Sequence, residues 1–180
     1  MRRNIKFGLT FAIFALCFLG YSLFQFERTN SYNTEFNLEI HVEMWHYRNN
    51  ILLSYSHHPG TLTNLGANWI EDQLGDSPGA DPAKWIALSN DAASPDPAWT
   101  TIPNEITTGD MARAAGTYAD DGTGQWNITK SFSPSETGSC RLTGLYWAST
   151  GDYLLCADTF TVINYEDGDT VTIKWSISVS

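Results

Sequence analysis

Acidic side chains beside glycines are the residues of this sequence with the clearest chemical potential. They form two short clusters, Asp120 with Asp121 and Asp167 with Asp169. Calcium needs several oxygen ligands that converge from one or more loops, so these carboxylates are candidate calcium ligands. Paired carboxylates also perform glycoside hydrolysis, which makes an acidic-residue hydrolase a remote alternative. We favour a third interpretation, tight turns without a cofactor, because aspartate beside glycine forms its own local hydrogen bonds.

Catalytic signatures are absent from the sequence. It contains no G-x-S-x-G, no H-E-x-x-H, no phosphate-binding glycine loop and no zinc-type cysteine pair. His57 and His58 could bind a metal, but adjacent side chains of an extended segment point in opposite directions. We interpret both as exposed loop histidines before Pro59. The sequence therefore predicts a protein that is not an enzyme.

Two tryptophans are candidates for binding a sugar ring or a protein partner. Trp45 shares its strand face with His41 and Glu43, and Trp99 lies in a proline-rich loop. Exposed aromatic rings serve as anchors in both kinds of site. The competing interpretation is that both rings cap the ends of the core. Asn127 begins an N-x-T sequon on the polar face of a predicted strand and is a glycosylation candidate.

The charge is distributed unevenly along the chain, with a net value of −10. Arg2, Arg3 and Lys6 precede the first acidic residue, Glu27, so everything that follows is strongly acidic. An acidic surface repels phosphate backbones, and we expect no nucleic-acid partner.

An apolar stretch without any charge runs from Phe7 to Phe24. Its length reaches the roughly 17–25 residues that a membrane-spanning helix needs. The preceding basic residues should stay in the cytoplasm, so the rest of the chain faces outward. We predict a basic start and transmembrane helix over residues 1–26, a polar tether over 27–35 and one outward domain over 36–180. A cleaved signal segment, which would leave a secreted domain, is the alternative.

The sequence of residues 36–180 predicts a domain of strands joined by turns. Apolar and polar residues alternate from Phe36 to Met44, which is typical of a half-buried strand. Further strands are predicted at 51–56, 85–88, 112–119, 125–133, 141–148, 153–158, 160–165 and 170–179. Thr63-Asn64 can cap one helix that ends at Gly75. The expected fold is mainly β, an antiparallel β-sandwich or jelly-roll-like domain with one short helix.

The last forty residues carry two register predictions. Asp167-Gly168 predicts a two-residue hairpin. Its register pairs Asn164 with Val171, Val162 with Ile173 and Phe160 with Trp175. A second hairpin, centred on Thr150-Gly151, places Cys156 opposite Leu145 and Cys140 near Thr161. That separation, roughly 16 Å along the strands, argues against a 140–156 disulfide, although a wider turn would keep the bridge open.

The sequence from Thr61 onward resembles small virion-associated proteins of tailed phages and their prophage or archaeal relatives. The similar segments are Thr61–Ile70, Trp85–Ser89, Glu105–Thr108, Met111–Tyr118, Leu154–Phe160 and Gly168–Trp175. The resemblance implies a non-enzymatic structural or adhesive module and supplies no catalytic residues. The apolar N-terminal segment departs from that family and suggests that the same fold is used at a cell surface.

These observations favour a membrane-anchored, outward-facing structural or binding module. Phe36 to Trp45 is long and regular, so we expect it to add to the sheet edge of a neighbouring copy. The expected partners are the membrane, through Phe7–Phe24, and a protein, through self-association. A carbohydrate-binding module that uses Trp45 or Trp99 is the alternative.

Overall fold

A computed structural model describes residues 37–75 and 81–180. Several sequence predictions lie outside these residues. They are the membrane segment Phe7–Phe24, the tether 27–35, Cys17 and the first strand residue, Phe36.

Ten strands and one helix make up the described part of the chain. The strands are β1 (Leu38–Arg48), β2 (Ile51–Pro59), β3 (Thr61–Leu62), β4 (Trp85–Ser89), β5 (Ala114–Ala115), β6 (Thr117–Gly122), β7 (Gln125–Phe132), β8 (Gly138–Tyr146), β9 (Leu154–Tyr165) and β10 (Asp169–Val179). The helix, α1, spans Asn64–Gly75.

The strands form two antiparallel sheets of five strands each. Sheet I has the order β2-β1-β10-β7-β6, and sheet II has the order β3-β9-β8-β4-β5. The prediction of a mainly β, sandwich-like domain with one helix is confirmed for the described residues.

The alternation predicted for the first strand is present in β1. Ile40, Val42 and Met44 are buried, while the residues between them are only partly covered. Asn49 and Asn50 both have positive φ, at 49° and 62°, which is the backbone of the tight turn that joins β1 to β2. However, β1 is paired on both sides, with β2 and with β10. The prediction that β1 adds to a neighbour's sheet is therefore wrong, because its backbone edges are already used.

The predicted helix start is confirmed at Thr63. Its Oγ1 accepts a hydrogen bond from the Gly66 amide at 2.9 Å and donates to the Leu154 carbonyl at 2.6 Å. The cap therefore also ties α1 to β9. Gly66 is the one buried residue of α1, and a Cβ there would overlap the Leu155 carbonyl. The helix can approach β9 this closely because that side chain is missing.

The predicted hairpin at Asp167-Gly168 is wrong. β9 belongs to sheet II and β10 to sheet I, so the chain crosses between the sheets at this turn. Gly168 has a φ of 85°, and the Asp169 amide donates to the Glu166 carbonyl at 3.1 Å, so the predicted turn itself exists. Asp-Gly signals a tight turn, but it does not say whether the two strands pair or face each other across a core.

Two other predicted boundaries are corrected by the same kind of crossing. The strand predicted over 112–119 is divided at Gly116 into β5 of sheet II and β6 of sheet I. The strand predicted to end at Ser56 continues through Pro59, and the chain then crosses at Gly60 to β3. A proline is tolerated there because β2 is an edge strand.

Both described cysteines are buried free thiols. Cys156 lies opposite Leu145, as predicted, and Cys140 lies opposite Ile163. Burial raises the pKa of the Cys140 thiol to about 12, and burial also raises the pKa of Cys156. Both side chains act as small apolar groups of the core.

Candidate interaction surface

Four strands lie at the ends of the two sheets in the described residues, and of these β2 alone combines nine residues with an absence of Asp, Glu, Lys and Arg. β3 and β5 have two residues each, which is too short to template another strand. β6 carries Asp120 and Asp121 and has an irregular register beside Gly122. Charges, bulges and short length are the usual protections of an exposed edge. β2 contains no Asp, Glu, Lys or Arg along its nine residues.

The side chains of β2 add an apolar surface to its free backbone edge. Of the exposed large apolar side chains in the described residues, half lie on this strand: Ile51, Leu52, Leu53 and Tyr55. The register with β1 shifts between His46 and Tyr47, so Leu53 has no direct partner on β1. Exposed apolar side chains on an uncharged sheet edge are a feature of interaction sites.

Trp45 lies beside this edge on the outer face of sheet I. Its ring centroid is 5.4 Å from that of Tyr55, its direct cross-strand neighbour. The Tyr55 hydroxyl donates to Glu43 Oε1 at 2.8 Å, and this bond raises the pKa of Tyr55. Glu43 Oε2 in turn forms an ion pair with Lys174 Nζ at a distance of 3.2 Å. Trp45 is thus half-buried and packs against Tyr55.

Trp99, the other predicted aromatic anchor, is partly buried against the smaller core cluster, which includes Tyr146 and Leu154. Its amide donates to the Asp96 carbonyl at 2.9 Å within the proline-rich loop. The structure does not bring Trp99 and Trp45 together, since one packs on sheet II and the other on sheet I. The alternative of a carbohydrate site stays a prediction.

Asp169 is a buried ion-pair partner. Its carboxylate accepts from Arg48 Nε and Nη2 at 2.8 and 2.9 Å, from His46 Nε2 at 2.9 Å and from the Glu166 amide at 3.0 Å. The hydrogen bonds from Arg48 hold the pKa of Asp169 well below its usual range. Because its side chain is fully covered and these donors surround it, the carboxylate fastens the β9–β10 crossing to the end of β1.

The other calcium candidates lie apart from Asp169. Asp120 pairs with Trp126, which pairs with Ile177, eight residues further along β10 than Asp169. At about 3.3 Å per residue, the two clusters are roughly 26 Å apart. Asp120 accepts from the Gly122 amide, and Asp167 is exposed in its turn. In residues 37–75 and 81–180, no group of three or more His, Cys, Asp or Glu side chains is arranged to hold a metal ion.

The predicted loop histidines lie on β2 instead. The His57 ring is exposed on the outer face, with its centroid 5.1 Å from that of His41 on β1. His58 is half-buried and points to the other side of the strand, as expected for adjacent residues in extended backbone.

Asn127 is only 8% exposed. Its Nδ2 donates to Asp121 Oδ2 at 2.8 Å, and its Oδ1 accepts from Thr129 at 3.1 Å. The residue does lie on the outer face of sheet I, as predicted, but neighbouring side chains cover it. Glycosylation of Asn127 stays a prediction; in this structure the amide nitrogen that would carry the sugar is hydrogen bonded to Asp121.

A buried ion pair that the sequence analysis missed orders the long loop between β4 and β5. Arg113 forms a bidentate pair with Glu105, and its guanidinium lies 3.6 Å from the centroid of the Tyr146 ring. The same side chain donates to the Gly151 carbonyl at 3.1 Å. These contacts form one wall of a polar cleft of about 540 Å³ that also includes Thr150 and Asp152. Loop residues separated by many positions carry no periodic signal, so the sequence did not reveal the pair.

The described residues form a mainly β, two-sheet module in which β2 is a nine-residue sheet edge without Asp, Glu, Lys or Arg. No family model, no curated protein and no solved structure matches the chain. α1 is the one helix of the described residues, and its twelve residues are too few to cross a bilayer.

Proposed function

We propose that this protein is a membrane-anchored, outward-facing structural module that associates with copies of itself through the free edge of β2. The membrane anchor rests on the charge-free stretch Phe7–Phe24 and its basic flank. The resemblance to virion-associated proteins, although carried by segments without catalytic motifs, agrees with an assembly role. A jelly-roll-like topology is consistent with the neighbouring first and last strands, β1 and β10.

The observation that carries the proposal is the contrast between β2 and the other described sheet edges. A strand edge presents unpaired N–H and C=O groups, and natural proteins protect long edges with charge or distortion. Both edge strands of this sheet have one register irregularity, but β6 carries Asp120 and Asp121, whereas β2 has no such charge and exposes Leu53 and Tyr55. An antiparallel pairing of two β2 strands would satisfy the backbone groups and cover these side chains in one contact.

Symmetry supports a second copy as the partner. In a two-fold antiparallel pairing, each strand contributes the same surface, so the interface must be self-complementary. A strand without Asp, Glu, Lys or Arg meets this condition, because pairing it with itself brings no carboxylates together even though the chain carries a net charge of −10. A membrane anchor would also hold the copies at high local concentration.

Placing a charge at the edge is expected to abolish association. In a Leu53→Lys variant, association would bury lysines that have no opposite charge on the apolar edge. Native mass spectrometry of the full chain in a mild detergent should show oligomers for the unchanged protein and monomers for this variant. Leu53 is exposed, so the change should leave stability within about 0.5 kcal/mol.

The matched control is Tyr118→Lys on β6, the opposite edge of the same sheet. Tyr118 is 61% exposed, compared with 49% for Leu53. Its lysine should leave the oligomer intact. Equal masses for the two variants, whether both oligomeric or both monomeric, would overturn the assignment of the interface to β2.

A further inference from the structure

An apolar cavity of about 550 Å³ opens between the two sheets beneath α1. Its volume falls within the roughly 300–1,000 Å³ typical of small-molecule sites. Sheet I contributes the start of β1 and the end of β10, α1 forms a second wall, and Ala83 with its neighbours forms a third. The cavity is separate from the β2 edge, since no β2 residue lines it.

The cavity deepens from an exposed mouth to a buried floor. Leu74 at the mouth is 76% exposed although its side chain is fully apolar. The floor includes Ile128, Leu155 and Ile177, all of which are buried. An apolar path of this kind suits a flexible hydrocarbon chain that enters by one end, because each methylene gains from leaving water.

Besides the two tryptophans, the lining has few side chains with polar groups: Gln73, Lys84 and Tyr118. Lys84 is the one charged residue of the lining. Trp69 Nε1 and Gln73 Nε2, one helical turn apart on α1, are shielded from water and have no hydrogen-bond partner within the described residues. Because both atoms are shielded, they do not face the open space of the cavity, and Lys84 is the group of the lining that suits an anionic head.

We infer that this cavity binds the acyl chain of an anionic, single-chain amphiphile of the fatty-acid class, with its carboxylate near Lys84. The apolar lining accounts for the chain, and Lys84, the one cation of the lining, accounts for the anionic head. This inference goes beyond the proposed function and does not depend on the β2 edge.

Photolabelling of the full chain tests the inference. The protein is reconstituted in phosphatidylcholine vesicles with palmitate that carries a diazirine in mid-chain, irradiated, digested and mapped by mass spectrometry. Labels are expected on peptides that contain Trp69, Trp126 or Ile177, and unlabelled palmitate should compete. Peptides from Phe7–Phe24 report labelling by the surrounding bilayer and should not respond to the competitor.

Two substitutions separate the cavity from its surroundings. Val179→Phe adds bulk to the lining and should lower cavity labelling several-fold, whereas Val162→Phe, on an exposed part of β9, should not change it. Lys84→Glu should lower labelling by palmitate about fivefold, the effect of an exposed ion pair. The same variant should not affect labelling by hexadecanol with the same diazirine.

Several results would overturn the inference. Labels confined to Phe7–Phe24, labels on the cavity that palmitate does not displace, or an equal response to Val179→Phe and Val162→Phe would each show that no amphiphile binds there. If Lys84→Glu left the labelling by palmitate unchanged, the anionic head would be rejected. If another segment of this chain filled the cavity, no cavity peptide would be labelled, and that result would also overturn the inference.

Discussion

Replacing Asp169 with alanine is expected to lower the free energy of unfolding by about 1–3 kcal/mol, because it leaves the buried His46 without its hydrogen-bond partner while Arg48 keeps access to water. The carboxylate accepts hydrogen bonds from Arg48, from His46 and from the Glu166 amide. Without it, His46 remains buried and loses this partner. Denaturant titration of the full chain in mild detergent, followed by tryptophan fluorescence, measures the loss.

Asp167→Ala is the matched control, because it removes an exposed carboxylate from the same turn. Its effect should stay within about 0.5 kcal/mol. If the two alanine variants were equally stable, the network around Asp169 would not fasten the β9–β10 crossing.

The contribution of Asp169 should also depend on pH. Its pKa in the folded protein lies below the value of about 3.9 typical of an unfolded aspartate, so the unfolded chain takes up the proton first. The stabilisation is therefore complete well above that value and is lost as the pH falls through the folded-state pKa. The difference in stability between the unchanged protein and Asp169→Ala should shrink as the pH falls below about 4.

Trp175→Ala is the second substitution with a large expected effect, about 3–5 kcal/mol for a fully buried tryptophan. Trp175 has no exposed surface and lies on β10 between Val42 of β1 and Ile128 of β7. Its Nε1 has no hydrogen-bond partner within the described residues. Trp175→Phe should therefore cost much less, because it keeps most of the ring volume and breaks no hydrogen bond.

A double-mutant cycle with Gly60 tests this packing directly. A Cβ at Gly60 would lie 2.6 Å from the Trp175 ring and 3.0 Å from Ile40. Gly60→Ala should destabilise the unchanged protein but cost less in the Trp175→Ala background, where the ring no longer occupies the space. Additive effects of the two substitutions would mean that the backbone at Gly60 does not pack against the Trp175 ring.

The sequence predicted those features that depend on neighbouring residues. The alternation of β1, the Thr63 cap of α1 and the opposition of Cys156 to Leu145 all follow from short-range periodicity and turn chemistry. The membrane segment remains a prediction, because it lies outside the described residues.

Features that depend on which sheet a strand joins were not predictable. Phe160, Ile163 and Tyr165 of β9 and Val171, Ile173 and Trp175 of β10 all point into the core. These apolar residues would be buried if the two strands paired as a hairpin within one sheet. They are buried equally well when the strands face each other from opposite sheets. The burial pattern could not separate the two arrangements.

The candidate site shows the same limit. Its exposed leucines and its lack of charge were visible in the sequence, but the edge position of β2 was not, since edge status depends on the pairing of β1 with β10. The acidic clusters, by contrast, were visible and suggested a metal site. The pairing of β10 with β7 and of β7 with β6 places the two acidic clusters at opposite ends of β10.

The most direct test of the account is cysteine cross-linking along β2 in the full chain, in a Cys17→Ser background. Single cysteines are placed in turn at Leu53, Tyr55 and His57, with Tyr118→Cys on β6 as the control. Tyr55 is the middle residue of β2, so a centred antiparallel pairing brings the two copies of it within about 4.5–5.5 Å between Cβ atoms. Cys140 and Cys156 are buried and should not react. We expect disulfide-linked dimers that are strongest for Tyr55→Cys and absent for Tyr118→Cys; cross-linking at none of the three β2 positions above the Tyr118→Cys background would contradict self-association through this edge.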